Sequence, residues 1–149
     1  AAAFMAGVMS ECQNGPVDML MYYDLRPNTT WNGAFMPHTY DILAAYWALY
    51  YWAELVDYGT QVKSSCEEND IYTCAAKSAD GKVRLIVVRY HETDAEQDIK
   101  PVSLSVPAGM SVTEVRLTDS ERMNQTIEVD KSAPVLQMER NSVALIEMK

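Results

Sequence analysis

Few side chains in this sequence have the types and the spacing that metal binding requires. His38 stands alone in a loop, and His91 has no second ligand at a metal-binding spacing, so we expect both histidines on the surface. An acidic run alternates along the chain at Glu92, Asp94, Glu96 and Asp98. The run lacks the glycine and the terminal glutamate of a calcium-binding loop, which favours a solvated turn. The sequence therefore predicts no metal and no cofactor.

Nucleophilic chemistry has equally little support. Ser64, Ser65 and Ser103 have no histidine placed to activate them, and no glycine-rich phosphate-binding loop is present. The sequence has three cysteines, an odd number, and no CxxC motif: Cys12, Cys66 and Cys74. This favours free buried thiols, although a cross-hairpin pairing of Cys66 with Cys74 stays open.

Aromatic and basic residues divide the sequence near Gly59. All three Trp and both Phe precede this glycine, whereas every Lys follows it. A half that is rich in aromatic residues and poor in lysine is typical of protein interior, or of a surface that another part covers. The net charge of −9 argues against nucleic acid and anionic lipid partners. No run reaches the ~18 apolar residues of a membrane span.

The first half predicts a helix, a strand and a second helix. Residues 1–13 place Phe4, Val8 and Cys12 on one apolar stripe, and no N-cap residue precedes them, so we expect the chain to be part of a longer polypeptide. Residues 17–23 form a nearly continuous apolar run, which is typical of a parallel strand covered on both faces. Such a strand needs neighbours that this chain does not supply.

The second predicted helix covers residues 41–58 and is apolar over most of its circumference. Thr39 or Asp41 can cap its start, and Gly59 can end it. An all-round apolar helix is buried between layers. We therefore expect its aromatic residues to pack between two parts of the molecule.

The second half changes to short alternating segments separated by turn signals such as Asp80-Gly81. About seven strands are predicted, a number and spacing typical of an antiparallel sandwich. They cover residues 61–65, 71–77, 83–90, 99–106, 111–118, 125–129 and 142–148. The fold class is therefore α+β.

Four stretches of the chain, taken in order, resemble the C-terminal segment of bacterial glycoside hydrolases: residues 17–27, Trp31 to Phe35, the aromatic helix and residues 71–77. The likeness is to family thirty-nine enzymes of the β-xylosidase type and their uncharacterised relatives. It implies that residues 1–60 are the end of a (β/α)₈ (TIM) barrel and that residues 61–149 are a β-sandwich. It also implies a retaining hydrolase, cytoplasmic or secreted, whose two catalytic glutamates lie after barrel strands four and seven, outside this chain.

The resemblance also implies a site, because barrel enzymes build their sites at the carboxyl ends of strands. One wall of a sugar site is expected from Tyr22, Tyr23, Asp24, Arg26, Trp31 and Asn32. Tyr23 and Trp31 would stack on sugar rings, Asp24 and Asn32 would bind hydroxyls, and Arg26 would hold Asp24. The alternative is that both tyrosines are barrel core, that residues 24–26 form a salt bridge in the loop and that Trp31 packs beneath it.

The expected partners are a carbohydrate substrate and the N-terminal part of the barrel. Without that part we expect the chain to be inactive, since no catalytic residue is assigned to it. Two other interpretations stay open. The first is that the chain is a non-catalytic carbohydrate-binding module. Such a module needs exposed aromatic residues on its sheet, and the predicted sandwich offers only Tyr72 and Tyr90, which argues against it. Alternatively it is a structural module that uses the aromatic half as an interface.

Overall fold

The computed structural model describes residues 1–23, 25–26, 33–93 and 98–149. Two helices, α1 (Ala2–Cys12) and α2 (Ala44–Val56), precede eight strands. The strands are β1 (Thr60–Val62), β2 (Ile71–Lys77), β3 (Val83–Arg89), β4 (Ile99–Ser103), β5 (Val112–Thr118), β6 (Gln125–Thr126), β7 (Val135–Glu139) and β8 (Ser142–Met148). Among the described residues, neither helix has the length and hydropathy that crossing a bilayer requires.

Helix α1 packs on the sheet through its smallest side chains. Ala2, Ala3 and Ala6 are buried, and a Cβ on Gly7 would lie only 3.5 Å from the Tyr72 ring. These residues let the helix approach the strands closely. The apolar stripe that predicts the helix does not face the sheet: Phe4 is 55% exposed and lines a surface groove together with Val8 and Cys12.

Helix α2 ends as the sequence predicts and begins later. Gly59 adopts a φ of +83° and donates its N–H to Val56 O at 2.9 Å, the left-handed ending that favours glycine. The prediction that Thr39 or Asp41 caps the start is wrong. Leu43 occupies the N-cap position without a side-chain hydrogen bond, and its own N–H is bound by Ala34 O at 2.8 Å. A turn preceding the helix thus replaces the side-chain cap.

The strands form two antiparallel sheets. The larger has the order β1-β2-β3-β8-β5-β6, and the smaller consists of β4 and β7. In strands β2, β3 and β8, successive residues point to opposite faces, which gives the sheet two apolar faces. One face, with Ile86 and Leu145, packs against both helices, and the other, with Val87 and Ile146, packs against the small sheet. The structure is therefore three-layered: helices, six strands and two strands.

Three sequence predictions need correction. Residues 17–23 are not a buried strand, for the structure has no strand there, and Met21 is 80% exposed. A strand needs hydrogen-bonding neighbours, and the described chain offers none at this position. Strand β7 was not predicted, because only Leu136 and Met138 mark its buried face. All three cysteines are free as expected, but Cys66 is exposed.

Candidate functional site

The structure describes three of the six residues predicted to bind sugar. Tyr22 is 40% exposed and Tyr23 is 90% exposed, and Arg26 lies on the surface three residues further on. Asp24, Trp31 and Asn32 lie outside the described residues. In this chain the ring of Tyr23 faces solvent. The assignment of the two tyrosines to a sugar site or to a barrel core stays a prediction.

Tyr22 and Gly33 bring the two ends of the predicted sugar-binding segment together. Gly33 has a φ of +62°, and a Cβ at this position would lie 3.5 Å from the Tyr22 hydroxyl and 3.6 Å from Ala45 Cβ. The described residues before and after the segment thus lie side by side at the start of α2. Any larger residue at 33 would combine a strained backbone with a contact against Tyr22.

The chain then forms a short turn that leads into α2. Phe35 pairs with Ile42 in an isolated antiparallel bridge, and Met36 N–H donates to Asp41 O at 2.8 Å. His38 and Tyr40 have φ values of 73° and 63°, in the left-handed region. Non-glycine residues in this region are uncommon and are found at functional or tightly constrained positions. The sequence predicts only a long loop here, so this turn is a feature that pattern alone does not reveal.

Aromatic rings continue from this turn onto the outer face of α2. Phe35 contacts Tyr46 at 5.7 Å between centroids, and Trp47 meets Tyr46 and Tyr50 edge-on at 5.3 and 5.6 Å. By contrast, Tyr51 and Trp52 of the same helix are buried against the sheet. The helix therefore has two aromatic faces, one buried against the sheet and one that is partly exposed.

Helix α2 also borders an apolar surface through Leu49. Most of the exposed large apolar side chains of the described residues lie before Gly59, including Met19 at 74% and Met21 at 80%. Between α1 and residues 17–22 lies a groove of about 630 Å³ whose lining is mainly apolar. Contiguous apolar surface of this kind marks an interaction site. We name it the apolar face: Phe4, Val8, Val17, Met19, Leu20, Met21 and Leu49.

We expect the isolated chain to self-associate through the apolar face. A double variant Met19→Glu/Met21→Glu should remain monomeric at protein concentrations at which the unmodified chain forms larger species in sedimentation velocity. The control is Met123→Glu, the same substitution at a residue that is 46% exposed and does not belong to the apolar face. This variant should behave as the unmodified chain. A monomeric unmodified chain at millimolar concentration would contradict this expectation.

An ion-pair network fixes α2 on the sheet. Glu54 of α2 accepts hydrogen bonds from both terminal nitrogens of Arg116, and the Arg84 guanidinium donates to Glu54 O at 2.8 Å. Arg84 also binds Glu147 at 3.1 Å and stacks 4.2 Å from the Tyr58 ring centroid. Burial would raise the pKa of Glu54, but hydrogen bonds from Arg116 and Tyr50 outweigh it and lower that pKa. Glu54 therefore stays ionised and serves packing.

A second network joins the two sheets around Arg89, which is 2% exposed. Its guanidinium donates to Asp70 Oδ2 at 3.1 Å, to both carboxylate oxygens of Asp98 at 2.8 and 2.9 Å, and to Met138 O at 2.9 Å. Arg140 also donates to Asp98, at 2.8 Å. Asp98 is exposed, and two arginines bind its carboxylate, a pairing that the expected solvated turn does not include.

Asp98 makes stability depend on pH. Hydrogen bonds from Arg89 and then from Arg140 lower the pKa of Asp98 to about 2, from an ordinary value of 3.8. A lowered folded-state pKa contributes stability that is present above the unfolded-state pKa and is lost as pH falls through the folded-state value. Between pH 4 and pH 2 the free energy of unfolding of Asp98→Asn should therefore fall less steeply than that of the unmodified chain. Urea unfolding at several pH values measures this.

The control for that series is Glu67→Gln, at an exposed position in the loop before β2. This variant should reproduce the pH dependence of the unmodified chain. Identical slopes for Asp98→Asn and the unmodified chain would show that the ion pair to Asp98 does not contribute to acid sensitivity.

Metal binding has no structural support in the described part of the chain. Over residues 1–23, 25–26, 33–93 and 98–149, no three His, Cys, Asp or Glu side chains are grouped so as to hold an ion. The Nδ1 atom of His91 accepts a local hydrogen bond from Thr93 N–H at 3.2 Å. The two arginine networks are the largest groups of polar side chains described above, and each joins packed elements of the fold.

Known proteins resemble the chain in structure but not detectably in sequence. No protein-family model and no curated protein matches it. A GH39 enzyme from Xanthomonas axonopodis superimposes with a TM-score of 0.68 and 16% identity, over 99% of this chain and 40% of that one. A GH30 endoxylanase from Clostridium papyrosolvens gives a TM-score of 0.65 and 16% identity, over 98% of this chain and 37% of that one.

A monomeric β-xylosidase from Caulobacter crescentus is similar as well, with a TM-score of 0.62 and 15% identity, over 99% of this chain and 41% of that one. The chain thus spans 37–41% of the length of these three structures. At such identities the likeness establishes the fold. The resemblance to glycoside hydrolases noted in the sequence is confirmed at that level.

Proposed function

We propose that this chain is the C-terminal portion of a glycoside hydrolase that cleaves O-glycosidic bonds with retention of configuration. The observation that carries the proposal is the superposition of nearly the whole chain on part of three such enzymes. The uncovered apolar face supports it, since a surface of this kind is stable in water only when another part of the protein covers it.

In this proposal residues 1–60 complete a (β/α)₈ barrel and residues 61–149 form the accessory β-sandwich. Residues 17–23 become the last barrel strand when a neighbouring strand supplies hydrogen-bond partners, and the groove beside α1 is filled by that neighbour. Helix α2 then lies between the layers, with Tyr51 and Trp52 on the sandwich and Tyr46 and Tyr50 facing the barrel.

The wall of the sugar site is formed by the loop after the last strand. Tyr22, Tyr23, Asp24, Arg26, Trp31 and Asn32 line it, with the rings stacking on the sugar and the polar groups binding hydroxyls. Tyr23 is the best-supported member, because its ring is 90% exposed while Tyr22 rests against Gly33. In this proposal both carboxylates of the reaction lie outside this chain.

Retaining hydrolysis uses two carboxyl groups roughly 5 Å apart, one as nucleophile and one as acid and base. Glu54 is unsuited to either role, because Arg116 and Arg84 occupy its oxygens. Glu11 lies on the exposed side of α1, within a helix rather than at a strand end. The 149-residue chain alone should therefore show no hydrolysis of aryl glycosides.

The decisive experiment uses the longer enzyme. Hydrolysis of an aryl β-xyloside, followed by proton NMR of the first sugar product, should show the substrate's anomeric configuration retained. If the longer enzyme shows no activity toward a panel of aryl glycosides and the 149-residue chain alone binds xylan, the chain is instead a non-catalytic carbohydrate-binding module.

Tyr23→Ala in the longer enzyme should raise KM about tenfold, equivalent to ~1.4 kcal/mol, because a stacking surface for the sugar is lost. Tyr23→Phe keeps the ring face and should retain near-normal KM. Met123→Ala, a distant exposed apolar residue, is the neutral control. Steady-state kinetics on xylo-oligosaccharides measure all three, and an unchanged KM for Tyr23→Ala would remove Tyr23 from the site.

A further inference from the structure

The structure brings the few aromatic residues of the second half to one place. Tyr72 in β2 and Tyr90, which follows β3, are the only aromatic residues after Gly59. Both line a shallow cleft of about 650 Å³ at the end of the large sheet where β2 begins and β3 ends. The scarcity of aromatic residues in the sandwich therefore does not exclude a sugar site there, because the two that exist share one cleft.

Helix α1 supports both tyrosine rings. A Cβ on Gly7 would lie 3.5 Å from the Tyr72 ring, and the Phe4 ring lies 5.5 Å from the Tyr90 ring between centroids. Within the described part of the chain neither tyrosine hydroxyl has a hydrogen-bond partner, and neither is buried, so both reach solvent. Each tyrosine thus offers the cleft an apolar body held in place and a polar tip that is available to a ligand.

The polar lining of the cleft carries both charges. Among the described residues it contains three cations and four carboxylates. Lys100 donates to Glu68 at 3.0 Å and to Asp70 at 2.6 Å, and Arg140 donates to Asp98 at 2.8 Å. These pairs hold the side chains in fixed positions and leave little net charge to attract an ion. Carboxylates accept hydrogen bonds and cations donate them, whereas a sugar hydroxyl does both, so the lining suits a neutral polyol.

The cleft lies at the same end of α1 as the predicted wall of the sugar site. A Cβ on Gly33, which follows the predicted sugar-binding segment, would lie 3.6 Å from Ala1 Cβ. Phe4 comes three residues after Ala1, roughly 4.5 Å along the helix axis, and contacts Tyr90 in the cleft. The first turn of α1 therefore bridges the two places, and a sugar chain bound at the wall can extend into the cleft.

We propose that this cleft is a distal subsite that binds neutral sugar residues of a polysaccharide substrate, away from the bond that is cleaved. Tyr72 and Tyr90 donate their hydroxyls to the sugar, and the exposed side chain of Asn69 binds a further hydroxyl. This inference rests on the proposed function, because it takes the polysaccharide to be the substrate of the longer enzyme. A short aryl glycoside does not reach the cleft, so the subsite acts only on long substrates.

Titration of the 149-residue chain with xylohexaose, followed by amide NMR shifts, tests the proposal. All samples carry Met19→Glu/Met21→Glu, so that association through the apolar face does not broaden the spectra. We expect shifts at Asn69, Tyr72 and Tyr90. The double variant Tyr72→Phe/Tyr90→Phe should weaken binding at the cleft about tenfold, because it keeps both rings and removes two hydrogen bonds.

Tyr58→Phe is the matched control, since its hydroxyl donates to Glu147 outside the cleft, and it should leave the affinity unchanged. In the longer enzyme the double variant Tyr72→Phe/Tyr90→Phe should raise KM for xylohexaose and leave KM for an aryl β-xyloside unchanged. An equal rise of both KM values would assign the tyrosines a structural role only and would overturn the proposal.

The absence of xylohexaose shifts at the cleft would overturn the proposal, as would an affinity that the double variant does not lower. Shifts produced by inorganic phosphate and not by xylohexaose would make the cleft an anion site and would overturn it too. The NMR measurement requires no catalysis. An inactive longer enzyme whose cleft binds xylohexaose therefore refutes only the proposed hydrolase activity, and an active one whose cleft does not bind it refutes only the subsite.

Discussion

Arg89→Ala is expected to lower the free energy of unfolding by about 3 kcal/mol, the lower end of the range for breaking a buried ion pair. Arg89 is 2% exposed, and its removal leaves Met138 O without this donor, Asp70 with Lys100 alone and Asp98 with Arg140 alone. The lower end applies because the Asp98 side chain is 50% exposed and water can reach it. Urea denaturation followed by circular dichroism measures the change.

Two further variants separate the charge from its geometry. Arg89→Lys keeps the charge but cannot donate simultaneously to Asp70, Asp98 and a carbonyl, so we expect about half of the loss. Lys82→Ala removes a surface pair to Asp80 at 3.4 Å and should change stability by less than about 0.5 kcal/mol. An Arg89→Ala variant as stable as Lys82→Ala would show that the buried network contributes nothing net.

This network illustrates what sequence patterns reveal and what they leave out. Strands β2 and β8 occur at the predicted residues, because alternation and turn residues are local signals. The partners of Arg89 are set by the register between distant strands: Asp70 lies 19 residues before it and Met138 lies 49 residues after it. No local pattern encodes such a meeting, so the ion pairs of Asp98 do not follow from its place in an acidic run.

The segment 17–23 shows a different limit. Its composition predicts a strand that is covered on both faces, yet in this chain it lies exposed and unpaired as a strand. Secondary structure in a sheet depends on neighbouring strands, so a local preference for strand has no expression where the described residues offer no partner strand. The candidate site is predictable only in part: the sugar-binding role of Tyr23 stays a prediction, and the turn of His38 and Tyr40, in which both have a positive φ, has no sequence pattern that announces it.

The two faces of the large sheet permit a test of whether the helices and the sandwich unfold together. Leu145 and Ile146 are adjacent in β8, are 1% and 0% exposed, and point respectively to the helices and to the small sheet. Truncating either to alanine should cost 2–5 kcal/mol, roughly the range for a buried leucine or isoleucine. Because α1, α2 and the sheet share one apolar core, we expect a single transition in both variants.

Tryptophan fluorescence and amide I infrared absorption should coincide in these experiments. All three Trp precede Gly59, so fluorescence reports the helical part, and the β-strand band of the amide I absorption reports the sheets. In a two-state transition both probes give the same midpoint. A Leu145→Ala variant that loses fluorescence before the strand signal would show that residues 1–60 and 61–149 unfold as separate units. Coincident curves for Leu145→Ala and Ile146→Ala would mean that the sandwich braces the helices through Glu54 and the shared core.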